Sequence, residues 1–332
     1  MELFREMLSF DSTSGREREF ALWLSSELKA ESVHVYEVGD GSLNLLFCWG
    51  VPKIVFCTHM DTVPPYIAPS FSGDEVRGRG SCDAKGQIYA MYSACRALSQ
   101  SGCVGFGLLL LSGEETGSFG AKAFAKTDFR APFLVVGEPT DNCMVSASKG
   151  TKSFDLSFMG EAFHSGYPQY GRSAVDMFVR FMNDLEVSDF PKDVLLGDTT
   201  WNVGLLHSDN PQNILSPRLD CRLYFRTTFA SDEAVVEYMD GVATECVRVS
   251  ARGGDSPLQY YTVPGIPSKT VSFGSDAPHL SNFKHKMICG PGSITVAHRD
   301  NEYILKSDIE IAIKQYIRIY ETSMTFTSRP RG

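Results

Sequence analysis

The chain has 332 residues, a formal net charge of −9 and an apolar fraction of 43%, which is long for one domain and comfortable for two with sizeable cores. No run of Lys and Arg marks a nucleic-acid footprint, the opening MELFREMLSF carries acidic residues where a signal peptide needs basic ones, and no apolar stretch approaches membrane-spanning length, so neither nucleic acid nor a membrane is an expected partner. Nine cysteines without a CxxC pair, an odd number in a chain too large to need staples, point to a reducing, cytoplasmic compartment.

In chain order, the opening segment reads as two helices, the second introduced by Ser14-Gly-Arg-Glu17, where Ser and Glu three apart can form a capping box. Short apolar runs then alternate with amphipathic stretches: 54–57, a helix from Gln87 to Leu98, 104–111, another helix near Ala121–Ala125, then 133–136. That alternation predicts an α/β sheet covered on both faces. Near residue 150 the strands become half-exposed, with the apolar residues of 153–158 on one face, as are Leu219, Cys221, Leu223 and Phe225. With helices over Ala174–Leu185 and from Ser231, the order strand, helix, strand, strand, helix, strand predicts a small four-stranded antiparallel sheet backed by two helices. Gly253-Gly254 to Gly265 reads as the return linker, followed by a strand at 286–289 and a helix opened by Ser307-Asp-Ile-Glu310. The expected domains are 1–150 with 256–332, built on a central, mostly parallel sheet, and an inserted α+β domain over 151–255.

In an open α/β sheet, sites form where strands end at their carboxyl edge. Here those ends carry His59 and Asp61, Glu114 and Glu115, Glu138, and His298, and Asp83 lies in a glycine-rich turn before a helix. His59 and Asp61, two apart, project to the same side, so Asp61 can accept the imidazole's second N–H and free the other nitrogen for a metal. Vicinal Glu114 and Glu115 diverge, which suits one to a metal and the other to a reacting water. Each residue alone also fits an ordinary reading: a surface His-x-Asp pair, a solvated Glu-Glu loop, a helix-capping Asp83, a loop acid at Glu138, a loop histidine at His298. Together they fit one count, since one His and one Glu per ion plus a shared Asp83 hold two divalent metals and leave each an open position. Three carboxylates, two divalent ions and a bridging hydroxide also bring the cluster near neutrality.

These motifs resemble a family of two-metal aminoacylases and exopeptidases that includes acetylornithine deacetylase, succinyl-diaminopimelate desuccinylase, tripeptidases and bacterial carboxypeptidases. The matching stretches are THMDTVP (58–64), GRGSCDAKG (78–86), SGEETGSFGA (112–121), VVGEPT (135–140), the HSGYP segment at His164 and GPGSITVAHRDNEYI (290–304). They run in the family's order along nearly the whole chain, and GPGSI followed by Ala-His and Glu-Tyr is most similar to the acetylornithine deacetylase branch. The resemblance implies that His59 and Glu138 bind one metal, Glu115 and His298 the other, and that Asp83 bridges; zinc is expected, with cobalt or manganese as substitutes. It implies that Asp61 orients His59 and that Glu114 moves the proton from water to the leaving amine. His164 would stabilise an oxyanion in a partner's site, and the 151–255 domain would be a lid and homodimer contact. Asn213, Arg226 and the loop at Gly274 and Ser275 would meet substrate. Arg226 lies on the polar face of its strand, where it could clamp a carboxylate or make a surface ion pair. Ile-Leu-Ser-Pro stands where the family has Val-Ile-Pro, and the chain is short before Gly274. His279 and Lys149 fit a pocket lining or plain surface; His34, His207 and His285 have no assigned role. The expected function is an amidohydrolase acting on an N-acyl amino acid such as N-acetylornithine, with a di- or tripeptidase or carboxypeptidase as the alternative and a catalytically silent metal-binding protein as a third reading.

Overall fold

A computed structural model of the chain describes residues 1–327. In chain order its main elements are α1 (Glu2–Ser9), α2 (Arg18–Glu27), β1 (Ser32–Gly39), β2 (Ser42–Trp49), β3 (Ile54–His59), α3 (Lys85–Gln100), β4 (Phe106–Leu111), α4 (Phe119–Phe124), β5 (Ala131–Val136), β6 (Gly150–Met159), α5 (Ala174–Glu186), β7 (Thr200–His207), β8 (Arg218–Thr227), α6 (Asp232–Val242), β9 (Val247–Gly253), β10 (Phe283–Ile288) and α7 (Lys306–Thr327). They fall into two compact units, the first made of Met1–Ser146, Tyr260–Lys269 and the chain from Ser275, the second of Ala147–Gln259 and Thr270–Gly274.

The first unit holds a six-stranded sheet ordered β1-β2-β4-β3-β5-β10. β3 pairs in parallel with β4 and β5, and β10 with β5, while β1 and β2 form an antiparallel hairpin on one edge. Every residue of β2, β3 and β4 is buried, as uninterrupted apolar runs demand when helices cover both faces. On one face Leu45, Phe47, Ile54, Phe56, Leu108 and Leu110 pack in a single core with residues of α1, α2, α3 and α7. Val55, Cys57, Leu109 and Val136, alternate in the same strands, are equally buried on the opposite face. The carboxyl ends of β3, β4 and β5 therefore lie together at one edge.

The second unit is an antiparallel sheet ordered β7-β8-β6-β9. Its strands alternate as a half-covered sheet must, so that Phe154, Leu156, Phe158, Leu219, Cys221, Leu223 and Phe225 meet Phe181 and Leu185 of α5 and Val235 and Met239 of α6 in a separate core. The expected fold class, a mostly parallel α/β sheet plus a four-stranded antiparallel sheet with two helices, is the observed one. Among the described residues no helix is long and apolar enough to cross a membrane.

Local expectations fare less well. The hairpin of β1 and β2 has no counterpart in the sequence reading, although Asp40 and Gly41, both at positive φ (48° and 81°), form its turn. The capping box expected at Ser14 and Glu17 is not formed, nor is one at Ser307 and Glu310. α2 is preceded by Glu17, whose carboxylate reaches back to the Gly15 N–H at 2.6 Å, and the Ser14 hydroxyl is spent elsewhere, as described below. Ser307 lies inside the first turn of α7, donating to Asp74 at 2.5 Å.

Candidate metal centre

His59 is the last residue of β3 and is fully buried. Its Nδ1 lies 2.9 Å from the backbone oxygen of Asp61 and 3.4 Å from that residue's carboxylate. With Nδ1 set as a donor to the Asp61 oxygens, Nε2, which faces Asp83, is the nitrogen left for a metal. The Asp61 carboxylate has a second task. One oxygen accepts from the Glu114 N–H at 3.0 Å, the other from the Glu115 N–H at 3.2 Å and the Ser14 hydroxyl at 2.8 Å. Burial opposes ionisation of Asp61, but His59 and these donors hold its pKa below the usual carboxylate range. The two glutamates are thus oriented through their backbone by a residue at the end of the neighbouring strand. The turn that carries them needs Gly113, at φ +66°, because a Cβ there would lie 1.8 Å from the Phe119 ring.

Asp83 offers one oxygen to each histidine, Oδ1 to His59 Nε2 at 3.0 Å and Oδ2 to His298 Nε2 at 3.3 Å. His298 Nε2 also meets Glu115 Oε1 at 2.9 Å. Ligand atoms of His59, Asp83 and Glu115 all lie within 4.8 Å of one another. Hydrogen bonds to Asp83 and Glu115 push His298 up to about 10, and the two histidines hold Asp83 well below its ordinary pKa although burial works the other way. Imidazolium protons here supply the positive charge that a cation among these carboxylates would supply. His298 adopts a left-handed backbone, φ 63°, a conformation of order 1–3 kcal/mol uphill for a non-glycine residue that concentrates at functional sites.

Glu138 follows β5 and is buried, and its Oε1 finds no hydrogen-bond donor among the described residues. Burial, then the charges of Asp83 and Glu114, raise its pKa well above the usual value; burial likewise raises Glu114. A carboxylate oxygen buried without a partner beside other carboxylates is costly unless a cation meets it. That orphaned oxygen, with two imidazoles and two further carboxylates, is a donor set that fits divalent metal.

Ser275 also belongs to the first unit, buried, its hydroxyl accepting from the Ala277 N–H at 3.3 Å. Beside it Asp276, absent from the sequence-based set, is buried and pushed up to about 6 by that burial. Gly274 falls in the second unit, and a Cβ there would meet open space. The second unit also holds His164, Asn213 and Arg226. His164 pairs with Ile214 and the Ser165 N–H donates to the Asn213 carbonyl at 2.9 Å, so the His164 and Asn213 segments run side by side. Arg226 sits on the half-exposed face of β8, its guanidinium 4.9 Å from the Tyr224 ring centre. Lys149 is in the same unit, its pKa lowered by burial with a contribution from the Arg226 charge.

Ser14, whose spacing to Glu17 suits a cap, and two fully buried charges, Arg79 and Glu302, are parts of the site that the sequence does not reveal. The signal available was faint: an Arg between two glycines just before Asp83, and the Glu of the motif that follows His298.

The model of peptidase family M20/M25/M40 matches residues 55–322. An M20 peptidase domain-containing protein of Schizosaccharomyces pombe is 32% identical over 336 aligned residues, covering 96% of this chain and 83% of that protein. A protein of Aspergillus flavus named probable carboxypeptidase is 28% identical, covering 98% of this chain and 87% of its own. Among solved structures, a tripeptidase from Staphylococcus aureus is similar with a TM-score of 0.80 at 19% identity, covering 96% of each chain. An M20 family metallo-carboxypeptidase from Sulfolobus solfataricus gives 0.75 at 16% identity, covering 97% of this chain and 98% of the other. At such identities the structural likeness is one of fold. The length and identity of the sequence matches show that the chain belongs to peptidase family M20/M25/M40 and is a metal-dependent hydrolase of amide bonds.

Proposed function

We propose that the chain is an exopeptidase of short peptides, a carboxypeptidase or a di- or tripeptidase, working with two divalent ions, zinc by expectation and cobalt or manganese as substitutes. The observation that carries the reading is Asp83, one oxygen turned to each histidine, beside a Glu114 whose backbone is anchored on Asp61. The sequence motifs favoured N-acetylornithine as substrate. The relatives named above carry peptidase names instead, and that moves the preference to peptides.

His59 and Glu138 would hold one ion, Glu115 and His298 the other, and Asp83 both; when bound, the ions supply the charge that polarises the scissile carbonyl and acidifies water. Glu114 accepts the proton of the attacking water and delivers it to the leaving amine, a task suited to a carboxyl whose pKa is raised by burial. The Nδ1 of His164 accepts the Gly166 N–H at 3.1 Å, so Nε2 bears the proton and is the donor offered to a developing oxyanion. Arg226, with Asn213, Gly274 and Ser275, is assigned to the substrate, and a guanidinium suits the free carboxylate of a peptide. The second unit serves as lid and homodimer contact. Nine unpaired cysteines support a cytoplasmic setting. A catalytically silent metal-binding protein would have no physical need for Glu114 beside a complete donor set.

The test is amine release from di- and tripeptides and from N-acetyl-L-ornithine by zinc- or cobalt-loaded protein, with Glu114→Gln as the blank. The expected result is peptide turnover that the variant loses while its metal content stays intact. Turnover of the acylated amino acid alone would return the deacetylase reading, and full activity in the variant would remove Glu114 from its role.

A further inference from the structure

Arg79 and Glu302 are each 1% exposed, with Arg79 Nη1 2.6 Å from Glu302 Oε2. A buried ion pair is a poor source of stability, since desolvating both charges costs about what their attraction returns, and apolar replacements are often neutral. This pair's other contacts point to a different use. Glu302 Oε1 accepts from the backbone N–H of Cys82 at 3.0 Å and of Asp83 at 3.1 Å. Arg79 Nη1 donates also to the carbonyl of Arg299, next to His298, at 3.2 Å, and its Nε to the carbonyl of Pro65 at 3.2 Å. One carboxylate thus fixes the backbone of the residue that faces both histidines, and through one guanidinium it is tied to the segment presenting the second histidine. Gln87 spans the same two segments, donating to the carbonyls of Cys82 at 3.0 Å and Pro291 at 2.8 Å.

We propose that Arg79 and Glu302 are positioning residues that set the spacing of the two metal sites, holding Asp83 in register with the segment that carries His298. Neither touches a proposed ligand's side chain; they act through the backbone. The proposal rests on the two-metal reading of the cluster, and its test separates the two. Removing one charge alone leaves the other buried and unpaired, so the informative variant is the double substitution Arg79→Met with Glu302→Gln. It strands no charge and keeps an oxygen for the N–H groups of Cys82 and Asp83, but it cuts the tie to Arg299.

Metal-free wild type and variant are titrated with Co²⁺ by calorimetry, and the visible spectrum is recorded at one and at two equivalents. Wild type is expected to take two ions. The double variant, with the melting temperature of the metal-free protein unchanged, is expected to take the first ion nearly as well and the second roughly 10–100-fold more weakly, the range typical when support behind a ligand is lost. An altered two-equivalent spectrum and a reduced kcat with KM retained should accompany this. Should the double variant not fold, Arg79→Gln with Glu302→Gln, which strands no charge but shortens the arm that reaches the Arg299 carbonyl, is read the same way. A folded variant that binds both ions with wild-type affinity and spectrum overturns the proposal. A wild type that takes fewer than two ions brings down the two-metal reading itself.

Discussion

Asp61 shows how much of this site is built from acceptors rather than ligands. Its two oxygens hold Ser14 and the backbone of both Glu114 and Glu115, and Asp61→Asn turns one of those oxygens into a donor facing a donor. Leaving a buried N–H or hydroxyl without its acceptor costs about 1–3 kcal/mol, and here the cost falls on the orientation of Glu114. The expected outcome is a 10–100-fold fall in kcat with KM nearly unchanged and a small fall in melting temperature, because Asn keeps the shape and half the acceptors. Steady-state kinetics on a dipeptide check it, and an equal rise in KM would mean that Asp61 serves binding instead. Residues of this kind divide by whether their chemistry is visible in isolation. His59, Glu115 and His298 advertise themselves as ligand types at strand ends. Arg79 and Glu302 do not, since they are partners 223 residues apart, and between two glycines an arginine reads as a surface turn.

Elements were legible where the apolar period was uninterrupted, and illegible where a polar strand lay on an edge. β3, β4 and β5 are continuous apolar runs that only a doubly covered sheet explains, whereas β1, mostly exposed and carrying His34, Tyr36 and Glu37, has neither period. The capping boxes failed for a related reason: Ser and Glu three apart suit a helix start, but a nearby buried acceptor, Asp61, competes for Ser14. Helix α7 offers a prediction at this scale. Phe326, near its end, meets Phe133, Tyr261 and His285 edge-on, and of these three Phe133 and His285 stack while Tyr261 is tilted against both. Burial, assisted by the Lys284 charge, holds His285 below its ordinary pKa. As pH falls through about 6.5 the unfolded chain takes up this proton before the folded one does. The stability due to the neutral ring is therefore present above that pH and declines towards the lower folded value. His285→Phe should shrink the difference in melting temperature between pH 8 and pH 5 relative to wild type. Identical pH dependence in the two proteins would exclude His285 as a contributor.

At the scale of the whole molecule, the candidate metal ligands and the bulk of the apolar core come from the first unit, while the second keeps a core of its own. That division leaves the second unit free to serve other ends, and its outer strand points to one. β7 is an edge of its sheet, and Leu206, opposite the buried Cys221 and so on the helix-covered side, is nevertheless 55% exposed, with Leu205 beside it at 46%. An exposed apolar edge is a standing invitation to pair with another strand, and natural chains blunt it with charge or cover it. No charge interrupts 200–206, so covering is the expected solution, and a second copy of the chain is the proposed cover. The protein should sediment as a dimer, and Leu206→Lys, which places a charge on that edge, should sediment as a monomer with unchanged metal uptake. If wild type is itself monomeric at working concentration, the dimer falls and with it any role for His164 in a partner's site. If the variant is monomeric and retains full kcat, dimerisation stands but His164 has no role in a partner's site.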